Sequence, residues 1–346
     1  MTDKNRDLNT IKLFVGFIAT VIAAFILKVL SNIFLPLGMA LLLYFLLNGM
    51  VKKLVRLKIP RFIVLTLLII FIFTIFYTMG ILIYSGAGTL INNIPTYVGK
   101  VLVLAKSFSE KLHIPINEVE KYIATIDWGK SVDIATGVLS KSFGSFTAFV
   151  GDLVLVLVYL MFMLAGGESL TGRIGKAFKQ ERSTKIKAII DDIEIHVRQY
   201  LSIKTFIGIL HGVVAGIIIF IAGVDFVLFL AFLFTVLNYI PNIGSIIAVI
   251  VPVVVCLLQY GLTIRLFLLL GGLMIVQFAI ANFLEPRLTG RTLNLSPIVI
   301  LVSLIFWGYL WGIVGMILSV PLTSAIKITC ENIPTLKPIA DLISAE

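Results

Sequence analysis

The chain has 346 residues, 59% of them hydrophobic and 13% charged, with a mean hydropathy of +1.09; an ordinary soluble domain carries about 25% charged residues. This composition excludes a water-soluble enzyme, a disordered chain and a small disulfide scaffold, because no soluble fold of this length hides so much apolar surface. The net charge of +10 lies between apolar runs, so it marks no nucleic-acid patch but a polytopic helical membrane protein, with room for about six to eight crossings of about 20 residues each.

The first predicted span covers residues 13–27 behind a short mixed-charge N-terminus, and reads as a retained signal anchor because another apolar run follows directly. The second covers 33–51, with Pro36 in its first turn. Lys52, Lys53, Arg56, Lys58 and Arg61 then crowd one short loop without an acid, which is the positive-inside signature. The third span opens at Pro60 and runs to 83.

Residues 84–143 form the longest polar region, with six lysines against five acids. Tyr97, Val101, Leu104, Phe108 and Leu112 recur at helical spacing there, which suits outer amphipathic helices lying on a membrane or on neighbouring subunits. The fourth span covers 146–165, with Asp152 near its start read as interfacial. A basic connection, 167–204, includes Arg173, Lys176, Lys179, Arg182, Lys185, Lys187, Arg198 and Lys204. Both basic loops belong on the cytoplasmic side, two crossings apart, so the N-terminus is predicted inside. The fifth span, 205–222, carries the chain out.

The second half departs from simple spans. Residues 226–258 are too many for one crossing and are cut at Asn238-Tyr239-Ile240-Pro241-Asn242-Ile243-Gly244. Each arm is about 20 Å of helix, short of a hydrocarbon core of about 30 Å. The prediction is a hairpin of two short helices entering from outside. The sixth span, 264–284, ends in Glu285-Pro286-Arg287, with Gly290 and Arg291 behind it. A second hairpin, 295–326, entering from inside, is divided at Gly308-Tyr309-Leu310-Trp311-Gly312 and again by Gly315. The fold class is thus all-α and polytopic, with six spans plus two broken-helix hairpins, or eight crossings if both hairpins span fully. Span plus hairpin, repeated in opposite directions, describes an inverted repeat of the kind that builds secondary transporters. The domain reading is 1–83 for the first three spans, 84–145 for the outer region, 146–204 for the fourth span and basic connection, and 205–346 for a transport unit.

No HExxH, GxSxG or Walker-type loop occurs, and no acids pair at helical spacing within an apolar run, so no enzyme is expected. Cys256 and Cys330 offer neither metal spacing nor a disulfide framework; no metal and no cofactor are expected. Of His113, His196 and His211, only the last lies in a span, where it reads as a hydrogen-bonded packing residue or as a proton relay. Asn238, Pro241, Asn242 and Gly244 are the most specific signal: Pro241 releases upstream carbonyls, Gly244 permits close approach, and the asparagines offer amides to a neutral polar ligand. Their alternative role is to satisfy the hairpin's own backbone. Glu285 and Arg287 read either as an inner gate or coupling carboxylate, or as a pair closing a helix end. Gln277 and Asn282 read as ligand groups or interhelical hydrogen bonds. Gly308, Gly312 and Gly315, with Trp307 and Trp311, read as a hinge lining the path or as close packing.

The segments Leu237 to Ser245, Leu284-Glu285-Pro286-Arg287, Leu295-Ser296-Pro297, Leu304 to Gly308 and Gly315 to Leu322 closely resemble the autoinducer-2 exporter family. The motifs fill the C-terminal third, and the length and early span spacing agree along the whole chain. The resemblance implies a bacterial inner-membrane transporter that moves the small-molecule quorum-sensing signal autoinducer-2 out of the cell, in a homo-oligomeric, pentameric assembly set in membrane lipid. Other members look like sodium or lithium/proton antiporters. The residues themselves favour a neutral or weakly anionic polyol-like ligand, because Glu285 is the only good acid in the repeat region and a cation exchanger needs an ionisable group. Under antiport, Glu285→Gln abolishes sodium or lithium tolerance; under export it leaves signal efflux largely intact. A third reading, a non-transporting membrane scaffold recruiting partners through 84–143, moves neither.

Overall fold

The computed structural model describes residues 3–92, 99, 150–165, 180–289 and 294–345. The outer region beyond 92, apart from Gly99, lies outside the described residues, as do 166–179, Gly290 and Arg291. The described chain forms α1 (Asp3–Val29), α2 (Ser31–Arg56), α3 (Arg61–Asn92) and α4 (Val150–Ala165). There follow α5 (Gln180–Ile221), α6 (Val227–Leu237), α7 (Ile243–Tyr260) and α8 (Ile264–Ala279). A π-helical turn (Ile280–Leu284) joins α8 to α9 (Glu285–Thr289), and α10 (Pro297–Glu331) and α11 (Lys337–Ile343) complete the order. Among the described residues there is no strand, only an isolated bridge between Leu295 and Ser344.

Among the described residues, six stretches are long and apolar enough to cross a membrane: Ser31–Arg56, Arg61–Thr78, Ser183–Ile221, Ile243–Tyr260, Ile264–Thr289 and Pro297–Glu331. The protein is an all-α polytopic membrane protein. Boundaries shift where apolar periodicity alone does not reach. Helix α2 starts at Ser31, so Pro36 falls in its second turn rather than its first. The larger correction concerns the fifth span: the helix begins at Gln180, not near 205, and runs unbroken for 42 residues, because charged side chains do not stop a helix. Much of the expected basic connection is therefore helical.

Helix α5 inverts the soluble pattern. Phe206, Ile209, Val213, Ile217 and Phe220 point outward and are more than half exposed. The buried stripe is Lys204, Ile207, Gly208, His211, Gly212, Ala215, Gly216 and Ile219, at helical spacing. Its glycines are needed for their size: a Cβ would stand 2.9 Å from the Thr235 carbonyl oxygen at Gly208, 2.6 Å from the Ala231 carbonyl oxygen at Gly212 and 2.9 Å from the Ala231 Cβ at Gly216. Small residues at such spacing let helices approach closely where lipid supplies no hydrophobic drive between them.

Neither long apolar stretch of the second half is a straight span. Helix α6 has only 11 residues, and the chain turns through 238–242 into α7, whose flank packs back on α6. At Gly244 a Cβ would overlap the Leu237 carbonyl oxygen. Within α10, Gly312 has φ 65° and ψ −145°, a conformation essentially confined to glycine. A Cβ at Gly315 would overlap the Trp307 carbonyl oxygen, although eight residues of straight helix would separate them by about 12 Å. The chain therefore reverses at Gly312. Both breaks end with a glycine tucked beneath the carbonyl of a residue seven or eight positions earlier.

The chain divides into two compact units, one of Met1–Arg56, Leu155–Arg198 and Leu293–Glu346, the other of Leu57–Val154 and Gln199–Thr292. In the first, α10 packs on α1, α2 and α11. The Trp311 indole donates to the Leu27 carbonyl at 3.0 Å, and the Lys28 ammonium lies 3.5 Å from the Tyr309 ring centroid. Buried Asn48 donates to Glu194 at 3.0 Å and to the Tyr44 hydroxyl at 3.2 Å. In the second, α6 packs on α3 and α7, and α7 on α8. The Tyr260 hydroxyl donates to the Gly223 carbonyl at 2.5 Å, closing the end of the α6–α7 pair far from its turn.

Nothing lies within 4 Å of a Cβ built at Gly312 or at Gly271, so substitution at either tests backbone conformation alone. Gly312→Val is expected to lose about 1–3 kcal/mol of stability, whereas Gly271→Ala, in regular helix, is neutral or mildly stabilising; thermal unfolding in detergent measures both.

Candidate functional site

The second unit contains a buried charge. Lys204, on the inner stripe of α5, has a side chain only 7% exposed, and its ammonium donates to Glu285 Oε1 at 2.5 Å and to the Asn238 carbonyl at 3.3 Å. Each acceptor lies at a helix interruption. Regular helix would commit the Asn238 carbonyl to the N–H of residue 242, but α6 ends at Leu237 and Asn242 adopts φ 60°. Glu285 follows directly on the π turn. The wider turn changes the angular register of everything after it, and π turns of this kind recur at functional sites.

A second tie lies beside the first. The hydroxyls of Thr205 and Tyr239, the chain neighbours of Lys204 and Asn238, are 2.6 Å apart. The α6–α7 turn is thus stapled to α5 by two adjacent interactions, one of which also holds α9. Tyr200, one turn before Lys204, is 4% exposed. Glu285, 29% exposed at the side chain, is the acid at this point. The other described acids of the unit are Asp152, exposed, and Asp225, which pairs with Gln259 near the start of α6.

The structure brings Asn238 and Glu285 together through Lys204, and it buries Gly244 beneath the Leu237 carbonyl. Pro241 is half-buried in the turn, while Asn242 is exposed there. Gln277 has a buried Oε1 without a hydrogen-bond partner among the described residues. Asn282 is exposed and bonds its own helix, at 3.0 Å to the Phe278 carbonyl. Arg287 is exposed, and the expected Glu285–Arg287 closure is replaced by Glu285–Lys204, because the carboxylate points at the buried ammonium. Trp307, Gly308 and Gly312 belong to the first unit, where the Trp307 and Trp311 rings lie 5.1 Å apart.

Lys204, Thr205 and Tyr239 were not singled out by the sequence. The signal for Lys204 was present, since it stands four residues before Gly208 and seven before His211, on the stripe those residues define. Counting it as a loop charge hid it. A paired buried ion is strongly destabilised when one partner is removed, and far less when both are replaced. Lys204→Met or Glu285→Gln alone is therefore expected to lose about 3 kcal/mol. The double variant should recover most of that loss, as read from thermal unfolding of all four proteins in detergent.

The sequence matches the AI-2E family transporter family over residues 14–335. It is 30% identical over 344 residues to the AI-2 transport protein TqsA of Escherichia coli strain K12, covering 97% of this chain and 96% of that one. A putative transport protein of Haemophilus influenzae is 30% identical over 98% of this chain and 97% of its own length. One from Borreliella burgdorferi is 30% identical over 90% and 84%. These relatives are transport proteins and not enzymes. Matched from Phe14 in α1 to beyond the end of α10 and at this identity over nearly its whole length, the chain belongs to the AI-2E transporter family.

Proposed function

We propose that this protein exports autoinducer-2 across the bacterial inner membrane by alternating access, with residues 205–346 as its transport unit and the broken elements at 238–244 and 308–315 as its moving parts. The observation that carries the reading is the Lys204–Glu285 pair. It neutralises the acid nearest the α6–α7 turn, leaving amide, hydroxyl and imidazole groups around it. That suits a neutral or weakly anionic polyol-like ligand better than a metal cation, which needs a carboxylate of its own. The likeness to the E. coli protein named for AI-2 transport supports the substrate.

The basic loop of Lys52, Lys53, Arg56, Lys58 and Arg61 supports a cytoplasmic N-terminus, and the parity of crossings returns the C-terminus to the same side. The family resemblance supports a homo-oligomer, a pentamer, in which the outer polar region and the first four spans form the scaffold. Asn238, Asn242, Gln277 and Asn282 are the proposed ligand or gate groups of one half, and Trp307, Gly308 and Gly312 those of the other.

One observation favours the second reading, cation/proton antiport: Glu285 is partly exposed and directly follows a π turn. Glu285→Gln alone no longer separates the two readings, because it strands Lys204. The Lys204→Met/Glu285→Gln double variant does, since it keeps the site neutral. In cells lacking the chromosomal copy, intracellular signal should rise and external signal fall. The double variant should restore export to within about threefold of the native protein, a difference under 1 kcal/mol. Loss of sodium or lithium tolerance with no change in signal levels would instead favour antiport.

A further inference from the structure

Helices α5 and α6 run antiparallel, and along their seam a groove of about 360 Å³ opens on the apolar surface. Its floor includes the buried Gly212 and Gly216 with Ala231, and its walls include the exposed Val213, Phe220 and Leu228. The one polar side chain lining it, Thr235, donates to the Ala231 carbonyl at 3.2 Å within its own helix. A polar cargo lying there would lose its water and gain no partner, whereas a hydrocarbon chain gains from burial. The groove runs beside α6 from Thr235 to Val227, about 12 Å of helix. At that length and volume it is narrower than a helix, which is about 10–12 Å across with its side chains, and it admits a single flexible chain.

At its Phe220 end the groove leads to a cation. The Gly223 N–H donates to the Phe220 carbonyl at 2.9 Å, and a Cβ at Gly223 would stand 3.9 Å from a guanidinium nitrogen of Arg265. The guanidinium lies over the Tyr260 ring, 4.8 Å from its centroid, and the Tyr260 hydroxyl in turn holds the Gly223 carbonyl at 2.5 Å. Arg265 is exposed and forms no ion pair among the described residues. Asp225, the acid at this end, is engaged by Gln259, which donates to its carboxylate and accepts from its backbone N–H at 3.1 Å. A guanidinium without a paired carboxylate is complementary to a phosphate, which it meets with two parallel N–H donors. An apolar groove that ends beside such a group matches the two parts of one lipid molecule.

We propose that the α5–α6 groove and Arg265 form a site for an anionic phospholipid, with one acyl chain along Gly212, Gly216 and Ala231 and the phosphate on the guanidinium. An anionic headgroup fits better than a zwitterionic one because it brings no ammonium to lie beside Arg265. The site goes beyond the export reading and does not depend on the cargo. The lipid covers the seam of small residues at which α5 and α6 meet, the same pair whose turn is tied to Lys204.

The test titrates full-length protein in a neutral detergent with phosphatidylglycerol, phosphatidylcholine or glycerol 3-phosphate, the last a headgroup without chains, and follows the thermal shift. Arg265→Gln removes the phosphate contact, and Val213→Trp fills the groove from its exposed wall. Ile275→Trp, on a residue of α8 that is 71% exposed and outside the groove, is the control. The site predicts that the half-saturating concentration of phosphatidylglycerol rises by about tenfold in Arg265→Gln and in Val213→Trp, the loss of one charge-assisted contact or its equivalent. Ile275→Trp stays within about twofold of the native protein, phosphatidylcholine binds about tenfold more weakly, and glycerol 3-phosphate gives no shift. If Val213→Trp does not fold, Leu228→Trp on the opposite wall takes its place. A native protein that ignores phosphatidylglycerol, or either site variant within about twofold of it, overturns the site. An equal response to glycerol 3-phosphate makes it an anion site without a chain, and an equal response to phosphatidylcholine makes it a general lipid contact; both overturn the proposal. So does a Val213→Trp protein that changes its oligomeric size by light scattering and keeps native lipid binding, since the groove would then be a contact between copies.

Discussion

A lysine inside an apolar helix needs acceptors for its protons, and the way Lys204 finds two of them organises the second unit. Its ammonium meets a backbone carbonyl released where α6 stops and a carboxylate delivered where α8 widens into a π turn. In uninterrupted helix the carbonyl would be committed to its own helix and the carboxylate would sit at a different angle around the axis. The α6–α7 turn is thus a place where freed backbone and a buried charge satisfy each other, the circumstance in which irregular backbone is tolerated at membrane depth. Three elements, α5, the α6–α7 turn and α9, are held at one point by groups that have few other partners.

Packing works toward the same end. The glycines of α5 let α6 approach closely enough for the turn to reach Lys204, and Thr205 with Tyr239 holds it there. The first unit solves a similar problem with different chemistry: α10 reverses at Gly312 with no ion pair at the break, and the indole of Trp311 and the Lys28 ammonium over the Tyr309 ring tie it to the end of α1. The two breaks share a glycine beneath an earlier carbonyl but not their polar neighbours.

Much of this was legible in the residues. The membrane class followed from composition, and both breaks from Asn238 to Gly244 and from Gly308 to Gly315, because proline, glycine and asparagine disturb helices for local reasons that sequence displays. What stayed hidden depended on partners. Lys204 looked like the last charge of a loop because a helix of 42 residues carries its polar start and its apolar end without any residue that marks the change. The π turn at Ile280 to Leu284 contains no helix-breaking residue, so nothing local announced that Glu285 would swing toward α5 instead of closing with Arg287. The glycine stripe at 208, 212 and 216 was visible at four-residue spacing, and extending it backward by one step reaches Lys204.

The scarcity of acids that first marked a membrane protein now has a particular consequence: the acid beside the broken helix is already neutralised, so the proposed cargo is neutral. Protein-dependent efflux of autoinducer-2 from proteoliposomes with equal pH and equal sodium on both sides tests this most directly. The account predicts saturable efflux down the signal's own gradient. Absence of signal movement, together with proton movement that appears only when sodium or lithium is added, would contradict it.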